Sequence, residues 1–280
     1  MGNILAPFQA GQRLDQLTGE DFDLAEGALL LAAENGESID LEKTLVLVDC
    51  LAEEAGLHLD LSAAPEDMAI KLCFFFRELK EFCGDSDDFY NADNSYLNKV
   101  LSSRKGIPIS FALIYLIVAK RLGIKMAGIA FPGHFLLQVS EKPLVIVDPF
   151  EHKVINSEKE CEERLRSLFG KHARLHASFL KPINNDEILA RMARNLVEIH
   201  QNHERYELAL VNCSRAMALD KDHAEDHSLR AELFEKLDCY AAAIQDYAHF
   251  IFLSPKDEQV GEFKTRIRGL KELGLPQLVH

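Results

Sequence analysis

The sequence has no apolar run approaching the roughly 20 residues that a bilayer-spanning helix needs, and its first residues lack the basic-then-apolar order of an export signal. These gaps give the expectation of a soluble, non-exported protein with no membrane partner. The six cysteines, Cys50, Cys73, Cys83, Cys161, Cys213 and Cys239, show no paired spacing such as C-x-x-C. A chain of 280 residues can bury a core without covalent staples, so scattered thiols fit a reducing, cytoplasmic setting. Basic charge is scarce at the start: residues 1–60 hold thirteen Asp and Glu against two Lys and Arg, within a net charge of −14. Such a balance repels phosphate backbones, and no cluster of arginines with interleaved aromatics relieves it. Nucleic acid is excluded as an expected partner, and the acidic stretch reads as a solvated helical face, with a site for a basic partner as the alternative. Gly123, Gly128 and Gly133 are too dispersed to cradle a phosphate. His172 and His176 stand four apart without a Glu between them or a third ligand, so no metal and no cofactor is expected.

What is present is mostly helical punctuation. Thr18 with Asp21 resembles a helix start, followed by Leu24, Ala28, Leu31 and Ala32 at helical spacing up to Asn35-Gly36. Asp40 caps a second helix carrying Leu41, Leu45, Val48 and Leu51, and Pro65 opens a third that is expected to reach about Cys83 and leave at Gly84. A polar, turn-forming stretch over 84–95 leads to a short helix ending near Lys105-Gly106. Pro108 then begins a helix that is apolar on nearly every side until Gly123, and a helix of that kind belongs in a core. Two strand-like runs follow, Met126–Val139 and Leu144–Val147, joined by Ser140, Glu141 and Lys142.

From about residue 186 the chain becomes alanine-rich, and a repeat of 34 residues carries Tyr206 onto Tyr240, Ala209 onto Ala243 and Leu219 onto Leu253. In the second copy Ala231, Phe234, Tyr240, Ala243, Tyr247 and Pro255 have the spacing of a tetratricopeptide repeat, with residues 258–272 as a terminal capping helix. A generic bundle of helical hairpins is the alternative.

The residues with chemical potential are His134 and Asp148. A hairpin centred on Glu141 sets them opposite one another and also pairs Leu136 with Ile146 and Leu137 with Val145. A carboxylate orienting an imidazole is the base and orienter of a triad, although a hydrogen-bonded structural histidine and an Asp-Pro turn would produce the same letters. The flanking motifs R-K-G-I-P-I-S-F-A-L-I-Y, R-L-G-I, F-P-G-H-F-L-L and V-D-P-F resemble the transglutaminase-like superfamily, and more narrowly its bacterial SirB-type family. The likeness extends back through Asn94, Ser95, Leu97, Asn98, Val100, Leu101 and Arg104.

The resemblance implies an α+β fold. A papain- or transglutaminase-like core over residues 1–185 (1–90 mainly helical, 91–185 core helix and antiparallel strands) precedes an all-α repeat region over 186–280. It also implies that His134 and Asp148 are the histidine and aspartate of the superfamily triad, and that Pro108 stands where the nucleophilic cysteine would begin the core helix, with Ala112 four residues on. Asn98, Arg104 and Gly133 are binding candidates on the same grounds. Proline offers no nucleophile. Ser110 is the nearest hydroxyl, rotated by about 200° from Pro108 at 3.6 residues per turn, and Cys73 or Cys83 could approach from the third helix. The expectation is a catalytically diverged, inactive protein that binds a protein or peptide through its cleft and its repeats. The alternative is an acyl-transfer or amide-hydrolysing enzyme with a replacement nucleophile.

Overall fold

A computed structural model describes residues 4–17, 22–85, 88, 90–221 and 223–273. Contacts divide the chain into two compact units, Met1–Ile188 and Leu189–His280. The Thr18 and Asp21 helix start lies outside the described residues. Within them, α1 (Pro7–Leu14) is followed by α2 (Leu24–Glu34), whose cap is Asp23: its carboxylate accepts the Ala25 amide at 2.9 Å. Asp40 caps α3 (Leu41–Leu57) through the Lys43 amide at 3.2 Å.

The third sequence-expected helix departs from expectation at its far end. Pro65 opens α4 (Pro65–Phe74), which passes into a π-helical turn, Phe75–Leu79, and stops before Glu81 at φ 56°. Cys83 and Gly84 form β1 (Cys83–Gly84) instead of a helix exit. Gly84 is required for close approach, because a Cβ there would lie 2.3 Å from the Phe150 ring. After α5 (Leu97–Ser103), Arg104 turns the chain at φ 62° into β2 (Lys105–Gly106), which pairs with β1 in parallel.

The core helix α6 (Pro108–Arg121) buries every residue from Ile109 to Ala119. At roughly 1.5–3 kcal/mol for each large apolar side chain, this helix is the main apolar investment of the first unit. Its start is closed by Ser110, whose hydroxyl accepts the Ile107 amide at 3.0 Å and donates to the Ile107 carbonyl at 2.9 Å.

The sheet is small and antiparallel, in the order β6-β5-β4-β3-β7. Its strands are β3 (Ala127–Ile129), β4 (Leu136–Ser140), β5 (Val145–Asp148), β6 (Lys153–Ile155) and β7 (Pro182–Ile183), with α7 (Glu158–Phe169) between the last two. The single run expected over Met126–Val139 is thus two strands, broken over 130–135 where Gly133 adopts φ 74°. Ile129, Phe131, Leu136, Ile146, Ile155, Cys161 and Leu165 pack together between sheet and α7. The fold class is α+β.

Helix α8 (Asn185–Asn202) leads into α9 (Tyr206–Leu219), α10 (Glu225–Lys236), α11 (Tyr240–Leu253) and α12 (Val260–Leu273). The repeat phase is visible directly: Tyr206 and Tyr240 are the first residues of α9 and α11, and Leu219 and Leu253 the last. Ala209 and Ala243 are both fully buried, as are Cys213 and Tyr247 one turn later. Small residues at these positions let paired helices approach, and α12 covers the end of the array with Val260, Phe263 and Leu270.

Two outcomes follow for the second unit. Ala243→Glu places a charge in the Ala231, Tyr247 and Phe250 cluster and should lose the far-UV signal of these helices at a lower temperature than the parent chain; an unchanged melt would contradict the repeat packing. His200 is buried, and that burial, followed by the nearby Arg205 and His203, lowers it to about 4. Its folded value lies below its unfolded one, so the stability it contributes is complete above about pH 6.5 and drains away as pH falls toward 4. Urea melts at pH 7 and 5 should show this loss, and His200→Gln should reduce it.

Candidate functional site

The β4–β5 hairpin decides where the suspected histidine and aspartate stand. A tight turn centred on Glu141 would have to pair Val139 with Pro143, but proline has no N–H to give to the ladder. The chain instead pairs Ser140 with Val145 and, after a β-bulge, Gln138 with Ile146 and Leu137 with Val147. This register is two residues away from the sequence expectation, so the Leu136–Ile146 and Leu137–Val145 pairs do not form. Continued outward, it brings Leu136 level with Asp148. His134 falls before β4, in the turn where its amide bonds the Phe131 carbonyl at 3.0 Å, with the two rings 6.3 Å apart.

Asp148 ends β5, and its side chain is only 2% exposed. One carboxylate oxygen accepts the amides of Phe150 and Glu151 at 2.9 and 3.0 Å, which fixes the Asp-Pro-Phe turn. The other accepts Arg164 Nη1 at 2.7 Å, and the same guanidinium reaches Glu151 through Nη2 at 2.7 Å. A buried carboxylate with these partners is an ionic anchor between β5 and α7; losing Arg164 would leave it uncompensated.

The other candidates separate by role. Pro108 is the first residue of α6, and Ser110 is fully buried, its hydroxyl closed on the Ile107 backbone; the serine completes a helix start. Arg104 lays its guanidinium over the Phe82 ring at 4.9 Å from the left-handed position that ends α5. The side-chain oxygen Oδ1 of Asn98 is buried without a hydrogen-bond partner among the described residues. Gly133 needs its positive φ, and a Cβ there would lie 2.4 Å from Leu168 of α7. Cys83 is exposed on β1, beside Lys105.

A second polar constellation went unread in the sequence. Tyr115, inside α6, bonds His152 Nδ1 at 2.8 Å, and His152 Nε2 bonds the Phe82 carbonyl at 3.0 Å. A carbonyl only accepts, so Nε2 carries the proton and the tyrosine hydroxyl donates to Nδ1. Cys73 of α4 lies against the same hydroxyl. Burial pushes the Cys73 thiol up to about 12, raises Tyr115 well above its ordinary value and lowers His152, so all three are neutral at pH 7. His152 holds φ at 50°, and with Cys73, Ile70, Phe74 and Val154 it lines a surface pocket of about 390 Å³. The one local signal was a hydroxyl in an otherwise apolar helix; its partner lies 37 residues away.

The profile of the transglutaminase-like superfamily matches residues 42–194, a span that includes the core helix, the hairpin and α7. The chain belongs to the transglutaminase-like superfamily. Residues 196–268 match the tetratricopeptide repeat. The chain is 34% identical to a UPF0162 protein of Pseudomonas aeruginosa over 243 residues, which is 86% of this chain and 88% of the relative. It is 31% identical to a UPF0162 protein of Vibrio cholerae, covering 91% and 96% of the two chains. Human F-box only protein 21 is 28% identical over 65% of this chain but only 30% of its own length. No solved structure matches. A transglutaminase-like domain followed by repeats of this class supports a protein-interaction module. Among the described residues, no group of three or more His, Cys, Asp or Glu could hold a metal ion, and no helix is long and apolar enough to cross a membrane.

Thiol exposure and acidity give a direct check. At pH 7.5 iodoacetamide should label Cys50, Cys83 and Cys239 and spare Cys73, Cys161 and Cys213, as mapped by mass spectrometry of the native chain. Fast modification of Cys73 would contradict its burial.

Proposed function

We propose that this chain is a catalytically diverged transglutaminase-like protein that binds a protein or peptide through its cleft and its repeats, in the reducing cytoplasm. The observation that carries this reading is Pro108 at the start of the core helix, where the superfamily's covalent chemistry would need a thiol. Acyl transfer by this route divides amide cleavage into two easier steps through a covalent intermediate, and a base without a nucleophile has no such route. Asp148 adds support, because its carboxylate is engaged by Arg164 and two backbone amides. The two described units are read as a core domain over 1–185 and a repeat domain over 186–280.

One observation favours the alternative of a replacement nucleophile: Cys73 is linked through Tyr115 to the imidazole of His152. Its burial and its pKa of about 12 weigh against a resting thiolate, and Ser110 is committed to the helix start.

The discriminating experiment uses the full chain. Wild-type protein should not turn over glutamine-acceptor substrates, and Pro108→Cys should create a thiol that is alkylated faster than a free cysteine, because it sits at a helix N-terminus. Adding His134→Ala should abolish that excess reactivity if the triad geometry survives. Wild-type transamidation dependent on His134 would overturn the reading of divergence, and transamidation dependent on Cys73 would establish the alternative.

A further inference from the structure

Helix α3 has two apolar faces. One is spent on the core: Leu41, Val48, Leu51, Ala52 and Ala55 are buried. The other points to water, with Val46 59%, Leu47 54% and Leu57 85% exposed, and Cys50 exposed between them. At about 100° per residue, Val46, Cys50 and Leu57 fall within about 40° of each other, with Leu47 on the flank. Surface leucines scattered singly need no explanation; a stripe along one helix does.

The charges beside the stripe specify what can cover it. Glu42, Asp49 and Glu53 line one edge, and Lys43 and Glu54 fall between Cys50 and Leu47, all exposed. Asp49 is paired with Arg121, and Glu54 with Lys80. Glu42 and Glu53 remain on the outer edge, within a sixty-residue segment that carries thirteen acidic and two basic residues. Two copies of this face brought together would oppose carboxylate to carboxylate, which disfavours self-association. An anionic bilayer is repelled for the same reason.

We propose that the outer face of α3 docks a basic amphipathic helix of a partner protein. An apolar stripe on that helix packs over Val46, Leu47, Cys50 and Leu57, and flanking Lys or Arg residues meet Glu42 and Glu53. Helix-in-groove recognition of this kind takes its affinity from the apolar anchors and its orientation and on-rate from the charges. This face lies on α3 and uses none of the residues on which the proposed function rests, so its failure would leave that reading standing.

The test is fluorescence anisotropy of the full chain with two labelled 21-residue amphipathic peptides, identical in their leucine stripe and flanked by lysines in one and glutamates in the other. The lysine peptide should bind at least tenfold more tightly, and raising salt from 50 to 300 mM should weaken it several-fold. Val46→Asp with Leu47→Asp should cost at least tenfold while leaving the thermal melt unchanged, since both residues are exposed. Glu42→Lys with Glu53→Lys should reverse the preference toward the glutamate peptide. Absent binding, equal binding of the two peptides, or indifference to these variants would overturn the proposal. So would dimerisation in sedimentation velocity, or uptake onto phosphatidylglycerol vesicles, if either is lost in the Val46/Leu47 variant.

Discussion

Burying a helix on all sides leaves no solvent to satisfy its ends or any polar group along it, and the first unit is arranged around meeting that demand for α6. At the N-terminus Pro108 removes one unpaired donor, and Ser110 satisfies the Ile107 amide. At the C-terminus the Ile124 amide returns to Ala119 at 2.8 Å, and that of Gly123, at φ 69°, to Lys120 at 3.2 Å. The phenol of Tyr115 is answered by His152 in the turn between β5 and β6. The β5–β6 turn that carries His152 must therefore be held still, and Asp148 holds it through Phe150, Glu151 and Arg164.

That dependence changes the meaning of the aspartate. In a working triad the carboxylate orients an imidazole; here it supplies the negative end of a bridge from β5 to α7 and the acceptor for a tight turn. Phe150, fixed by that turn, lies against Gly84, and β1 is thereby tied to the β5–β6 turn.

The parts that could be read from the sequence were those determined by neighbours along the chain. The all-apolar run after Pro108 gave the core helix, and the recurrence of Tyr206 at Tyr240 gave the repeat, because each signal lies within one or two elements. Asp40 and Pro65 marked helix starts for the same reason. The hairpin register departs from the one centred on Glu141 because that pairing sets Pro143, which has no donor, opposite Val139. The end of α4 was misread because Gly84 resembles a helix exit; its actual constraint, the Phe150 ring, comes from 66 residues further on. Tyr115 and His152 could not be paired by any local rule, since what joins them is the packing of α6 against the sheet.

The outer strands of the sheet, β6 and β7, are three and two residues long. Lys153 begins the first, and Pro182, without a donor, begins the second. A growing cross-β assembly needs a long, flat row of free amides and carbonyls to copy itself upon, and neither border provides one. The five-stranded sheet is therefore bounded on both sides against templated polymerisation, by brevity at each edge together with one charge and one imino acid.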